Sequence, residues 1–195
     1  MASTLKHRHA GCGSVTAEFS LILVAFLMLV CGILEVARII YLFNTLQVVT
    51  LRAATQAAQR NFRDAADMDA VRRHAVFRDT PGVLPLGAPV SDSHVRIEYL
   101  ALAGSAGAMM TVIAPSALPS CPVSNKLNCM KDPYGPSCIR LVQARICDPA
   151  YADSCHGVPY QGLFSFIRIP LTLPMATAIV PAEALGVRPG DPACP

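Results

Sequence analysis

Three ionisable side chains stand in or beside one apolar run: Glu18 at its mouth, then Glu35 and Arg38 near its far end. From Phe19 to Leu34 no residue carries a charge, and as far as Phe43 only Glu35 and Arg38 interrupt. In hydrocarbon a carboxylate needs a counter-charge, hydrogen-bond donors or a proton, so each of the three is a functional candidate. Glu35 and Arg38 are three residues apart and share one helix face. They can pair with each other at a membrane interface or meet a neighbouring protein. A second reactive set is Cys121, Cys129, Cys138, Cys147, Cys155 and Cys194. Their spacings suit disulfides in an oxidising compartment better than the closer cysteine pairs of a zinc site, and the pairing stays open.

Other chemistry is absent from the pattern. The five histidines are dispersed, with His7 and His9 near the start and His74, His94 and His156 far apart, and they read as surface or turn residues. No Gly-rich phosphate loop or nucleophile–histidine arrangement is visible, and the carboxylates beyond residue 80 are scattered. The expectation is no metal, no cofactor and no enzyme. A formal charge of +3 without a Lys/Arg-rich run excludes nucleic acid as a natural partner.

The elements that must position these residues follow from composition. Hydrophobic residues make up 53% of the chain and charged residues 15%, and the mean hydropathy is +0.43. Roughly 20 helical residues cross a ~30 Å hydrocarbon core, which places a span near 19–40 with Glu18 at or just inside one edge. Cys31 falls within it as a small apolar residue. All 16 prolines lie from Pro81 onward, so the first part permits long helices and the second is dense in turns. The segment NTLQVVTLRAATQAAQRNFR continues the helix to about residue 62, with Leu46, Val49, Ala53, Ala57 and Arg60 at helical spacing. A second helix is expected from Asp67 to Phe77, with Met68, Val71 and Ala75 as its apolar stripe.

Beyond Pro81 the period changes to two. HVRIEYLAL (94–102) is the clearest strand, turning through 104–107 into MMTVIA (109–114). A cysteine-rich loop is expected over 115–137. IRLVQARIC (139–147) and LFSFIRIPL (163–171) are further strands, the last limited by Pro170 to an edge. The fold class is therefore a membrane-anchored α+β protein: a long N-terminal transmembrane helix followed by a small disulfide-stabilised antiparallel sheet. The divisions are 1–13 as leader, 14–62 as transmembrane helix with its extension, 63–80 as second helix and connector, and 81–195 as a Pro/Cys-rich domain.

A cysteine-rich domain belongs outside, which leaves the basic N-terminus inside. A secretory cleavage site of the A-x-A kind should follow the apolar run, and none follows closely. A lipid-modified cysteine would also follow its apolar segment, whereas Cys12 precedes it. What remains resembles a prepilin leader: glycine, cleavage, four residues, glutamate, apolar helix. Gly13 is the glycine that puts a glutamate, Glu18, at the fifth mature position. Gly11 would put Thr16 there.

Ala17-Glu18-Phe19, the apolar stretch, Gly32-Ile33 and Glu35-x-x-Arg38 together resemble the TadE-like pseudopilins of the tight-adherence (Flp) pilus systems over roughly residues 13–55. Val24 stands where that family often has proline. The resemblance implies cleavage between Gly13 and Ser14 by a prepilin peptidase, and an assembly role for Glu18 toward the Ser14 amine of its own or an adjacent subunit. It also implies a single-pass inner-membrane protein, N-terminus cytoplasmic and C-terminal domain periplasmic. The partners implied are other pseudopilins, the Flp pilin, the inner-membrane pilus platform and membrane lipid. Two rival readings are a single-pass envelope protein with a periplasmic binding domain and a minor pseudopilin of a type II secretion system.

Overall fold

The computed structural model describes residues 12–103, 109–151, 153–167 and 169–187. The leader up to residue 11 and Cys194 lie outside them. Helix α1 runs unbroken over Cys12–Ala57, about 69 Å at 1.5 Å per residue. Its two halves differ in surroundings. From Val15 to Leu29 every residue is exposed, whereas from Val30 one face is covered by the rest of the chain. The covered face carries Leu42, Leu46, Val49, Ala53 and Ala57, the i, i+4, i+7 spacing of one helical stripe. Arg60, expected on that stripe, is exposed beyond the helix end.

The helix stops at Ala57, short of 62, because the chain must fold back. Gln59 and Arg60 close tight turns onto the carbonyls of Gln56 and Ala57, and Phe62 is buried against Tyr99 with ring centroids 5.5 Å apart. Leu185 donates its amide to the Ala58 carbonyl at 3.0 Å, so the C-terminal segment seals the same turn. Gly186 has φ +82°, and a Cβ there would lie 2.7 Å from the Asn61 nitrogen, so both conformation and space require glycine.

Asp64 then caps helix α2 (Ala65–Ala75) by accepting from the amides of Ala66 and Asp67. Met68, Val71 and Ala75 are its buried stripe, as the periodicity predicts. The helix begins two residues earlier than expected because the cap sits at Asp64. It ends before Phe77, whose φ of +60° leaves the helical region.

Four antiparallel strands form one sheet in the order β2-β1-β3-β4. They are β1 (Val95–Ala103), β2 (Met109–Val112), β3 (Leu141–Ile146) and β4 (Thr177–Pro181). Val95 opposes Ile146 and Tyr99 opposes Val142 across β1 and β3, while Val142 opposes Val180 across β3 and β4. Val142, Ala144 and Ile146 alternate inward onto α1. The other face carries the Glu98–Arg145 ion pair at 2.5 Å, and Arg96 donates there to the carbonyls of Tyr151 and Ser154. The core lies between this sheet, α2 and the upper half of α1. Each fully buried leucine such as Leu42 or Leu46 contributes about 1.5–3 kcal/mol.

Two further expectations, for 163–171 and 115–137, fail. LFSFIRIPL is not a strand: the described part of 163–171 is loop, and the fourth strand is TAIVP at 177–181. The Leu163 amide is taken by Glu35, the Ile167 amide turns back onto Phe164, and Pro170 has no amide to give. Too few donors remain for a ladder. The stretch 115–137 is not all loop either. It contains helix α3 (Pro122–Lys131), with Pro122 at the first helical position, where its missing N–H does no harm.

Two disulfides staple this region, Cys129–Cys138 between α3 and the approach to β3, and Cys147–Cys155 in the loop after β3. Cys121 is also disulfide-bonded, and Cys31 is a free thiol on α1. Buried Asn125 completes the first staple, accepting from the Ile139 amide at 2.7 Å.

Candidate functional site

The ionisable residues of the apolar run lie in very different places. Gly13 and Ser14 are in the first turn of α1. Glu18 is exposed on the bare stretch, one turn beyond Ser14 and about 26 Å below Glu35 along the axis. Glu35 is only 1% exposed.

Glu35 is buried because the far end of the chain folds over it. Tyr160 donates its hydroxyl to Oε1 at 2.6 Å, and the Leu163 amide donates to Oε1 and Oε2 at 3.0 and 3.1 Å. A Cβ on Gly162 would lie 2.9 Å from Oε1 and 3.1 Å from the Ile167 carbonyl. Glycine at that position lets the loop backbone come this close. A carboxylate taken out of water loses several kcal/mol of solvation, and two donors, one of them shared between both oxygens, offset part of that loss.

Arg38 works on the same two loops and does not pair directly with Glu35. Its Nη1 donates to the Tyr160 hydroxyl at 3.3 Å and to the Gln161 carbonyl at 2.5 Å. Its Nη2 reaches the Ala88 carbonyl at 2.9 Å and its Nε the Leu86 carbonyl at 3.1 Å. The guanidinium also lies 5.4 Å from the centre of the Tyr160 ring. The expectation of a self-paired Glu35–Arg38 couple is thus replaced by a bridge through the Tyr160 hydroxyl, which accepts from Arg38 and donates to Glu35. Five guanidinium donors in a planar fork suit several carbonyls at once, which a direct pair with Glu35 would forfeit. One turn higher, Tyr41 donates to the Pro85 carbonyl at 3.1 Å.

Burial first, and then the hydrogen bond to Glu35, raise the Tyr160 phenol above its ordinary range, while Arg38 opposes them. Tyr160 therefore stays protonated and remains a donor at neutral pH. The arrangement is a clamp: three α1 side chains over two turns fix loops 85–88 and 160–163 to the helix. Sequence reasoning missed Tyr160, which is 125 residues from Glu35. The available signal was chemical, since a glutamate in an apolar helix demands donors, but nothing local says where they come from.

The helix that carries Glu35 and Arg38 resembles a known family. Residues 13–59 match the family model of TadE-like proteins. The match is consistent with a TadE-like protein of Tad pili. It covers α1 and the turn after it, including Gly13, Glu18, Glu35 and Arg38. The sheet, the cysteines from Cys121 onward and Tyr160 lie outside the TadE-like segment. No curated protein and no solved structure matches the chain. Within the TadE-like segment α1 is long and apolar enough to cross a membrane, with a mean hydropathy of 2.6 in its most apolar window.

Proposed function

We propose that the protein is a minor pseudopilin of a Tad (Flp) pilus, matured by a prepilin peptidase and used in assembling or anchoring the pilus. The observation that carries this reading is the TadE-like match, which begins at Gly13, the glycine selected by the cleavage register. Disulfides in the distal domain fit an oxidising compartment, hence a periplasmic domain, a cytoplasmic N-terminus and a single pass through the inner membrane. Hydrolysis of the Gly13–Ser14 bond leaves a carboxylate on the leader and a new amine on Ser14. That amine lies about 6 Å along the helix from Glu18. Glu18 then attracts the amine of its own or an adjacent subunit, which sets the register against other pseudopilins and the Flp pilin on the inner-membrane platform. Catalysis has no part in this role.

Mass measurement on protein from the native envelope tests it. With the peptidase present the mature chain should start at Ser14, and Gly13→Leu should retain the leader because the added side chain no longer fits a glycine-sized subsite. Glu18→Ala should be inserted and cleaved yet fail to co-purify with the pilus machinery. An intact Met1 terminus in cells that contain the peptidase would overturn the pseudopilin reading.

A further inference from the structure

The charge-free run Phe19–Leu34 is about 24 Å long, shorter than the ~30 Å hydrocarbon core it would have to cross. Extending to Ile40 gives about 33 Å and closes the deficit, but takes in Glu35 and Arg38. The structure removes that obstacle. Glu35 is sealed by Tyr160 and Leu163, and Arg38 has turned inward onto four oxygens. What remains on the outside at this level, among the described residues, is mainly apolar, with Gln161 and Ser165 as the exposed polar side chains of the second loop. The free face of α1 shows Leu34, Val36 and Ile40. On the other side, the two clamped loops show Leu86 at 76%, Leu163 at 55% and Phe166 at 58% exposure. Exposed Tyr41 and Asn44 follow directly above on the helix, the residue types expected where hydrocarbon gives way to headgroups.

We propose that loops 85–88 and 161–167 form a foot that enters the outer leaflet of the bilayer, so that the distal domain is seated in lipid and the hydrocarbon boundary lies near Ile40. This rests on the reading that α1 spans a membrane. Lipid is the occupant because the exposed Leu86, Leu163 and Phe166 adjoin the bare apolar helix below them, and because their inclusion brings the apolar length beyond Glu18 to that of a bilayer. The three exposed side chains sit on backbone already anchored through Glu35 and Arg38, so their insertion requires no rearrangement.

The protein contains no tryptophan, so single-tryptophan variants report one position each. Phe166→Trp and Leu163→Trp probe the foot, Leu29→Trp the bilayer centre, and Met130→Trp the exposed α3 surface. The full chain is reconstituted at high lipid excess in phosphatidylcholine vesicles brominated either near the carbonyl end or near the middle of the acyl chains. The foot tryptophans should emit blue-shifted and lose most of their emission to the shallow bromines. Leu29→Trp should be quenched more by the deep ones, and Met130→Trp by neither. If Leu29→Trp alone is quenched, the foot is wrong while the spanning helix stands. If neither position is quenched, the spanning reading falls and the foot with it. Foot emission that shifts only when protein density rises, without bromine quenching, would assign the patch to a neighbouring subunit and overturn the lipid proposal.

Discussion

The two halves of α1 share a backbone and a similar apolar content, yet they do different work. From Val15 to Leu29 the apolar residues point in all directions and every one is exposed. Above Leu29 one stripe, Leu42, Leu46, Val49, Ala53 and Ala57, is buried against the sheet and α2, while the opposite side mixes exposed Asn44 and Gln47 with exposed Val48 and Leu51. The contrast teaches that hydropathy alone does not mark where the bare stretch of α1 becomes a core helix. The change is marked by the buried stripe and by Glu35, where Tyr160 and Leu163 supply donors.

The contrast can be tested by substitution on either side of it. Leu46→Ala deletes buried methyl groups and should destabilise the distal domain by about 2–5 kcal/mol. Leu27→Ala, on the bare half, should leave the domain's unfolding midpoint unchanged. Denaturant titration in detergent, followed by the signal of the sheet domain, makes the comparison. Equal effects would mean that the lower half also packs on protein.

Tyr160→Phe should come next. It removes the hydroxyl that bridges Arg38 and Glu35 and leaves the carboxylate with the Leu163 amide alone, a loss of about 1.5–3 kcal/mol for a hydrogen bond to a charged group. The same titration reads it, and combination with Glu35→Ala sharpens it. The two changes should be far from additive if both act through one clamp.

The smallest effect concerns pH. Burial lowers the His94 pKa from its ordinary 6.5, with Asp148 and Asp92 pulling the other way. The neutral ring accepts the Ser91 amide through Nδ1 at 3.1 Å. A group that binds its proton less readily when folded contributes stability that is fully present above 6.5 and is lost as pH falls through the lowered folded value. Acidification from 7.5 toward 5 should therefore lower the unfolding midpoint slightly, and His94→Asn should flatten that dependence.

Much of this architecture is legible in the sequence, for reasons that vary with range. The long helix, the α2 stripe and the pairing segments of β1 and β3 follow from local periodicity, which the final packing respects. TAIVP becomes β4 and LFSFIRIPL does not, because Glu35 claims the Leu163 amide, and that competitor lies 128 residues away. α3 was hidden by the prolines and cysteines around it, although Pro122 is a permitted helix start. At the site itself, Glu35 and Arg38 stand out by charge in an apolar run. Their partners do not, since Tyr160, Gly162 and the carbonyls of 86, 88 and 161 are ordinary residues until the chain folds.

The hydrogen bond from the Leu163 amide to Glu35 is the most direct probe of the claim that the distal domain is fixed to the helix at this point. Hydrogen exchange of the full chain in detergent or nanodiscs, resolved to the Leu163 amide, should show strong protection in the wild type. In Glu35→Ala exchange should be faster by at least about tenfold, equivalent to the ~1.4 kcal/mol within reach of one such bond, while the β3 amides stay protected. A Leu163 amide that exchanges freely in the wild type, or is equally protected without the Glu35 carboxylate, would contradict it.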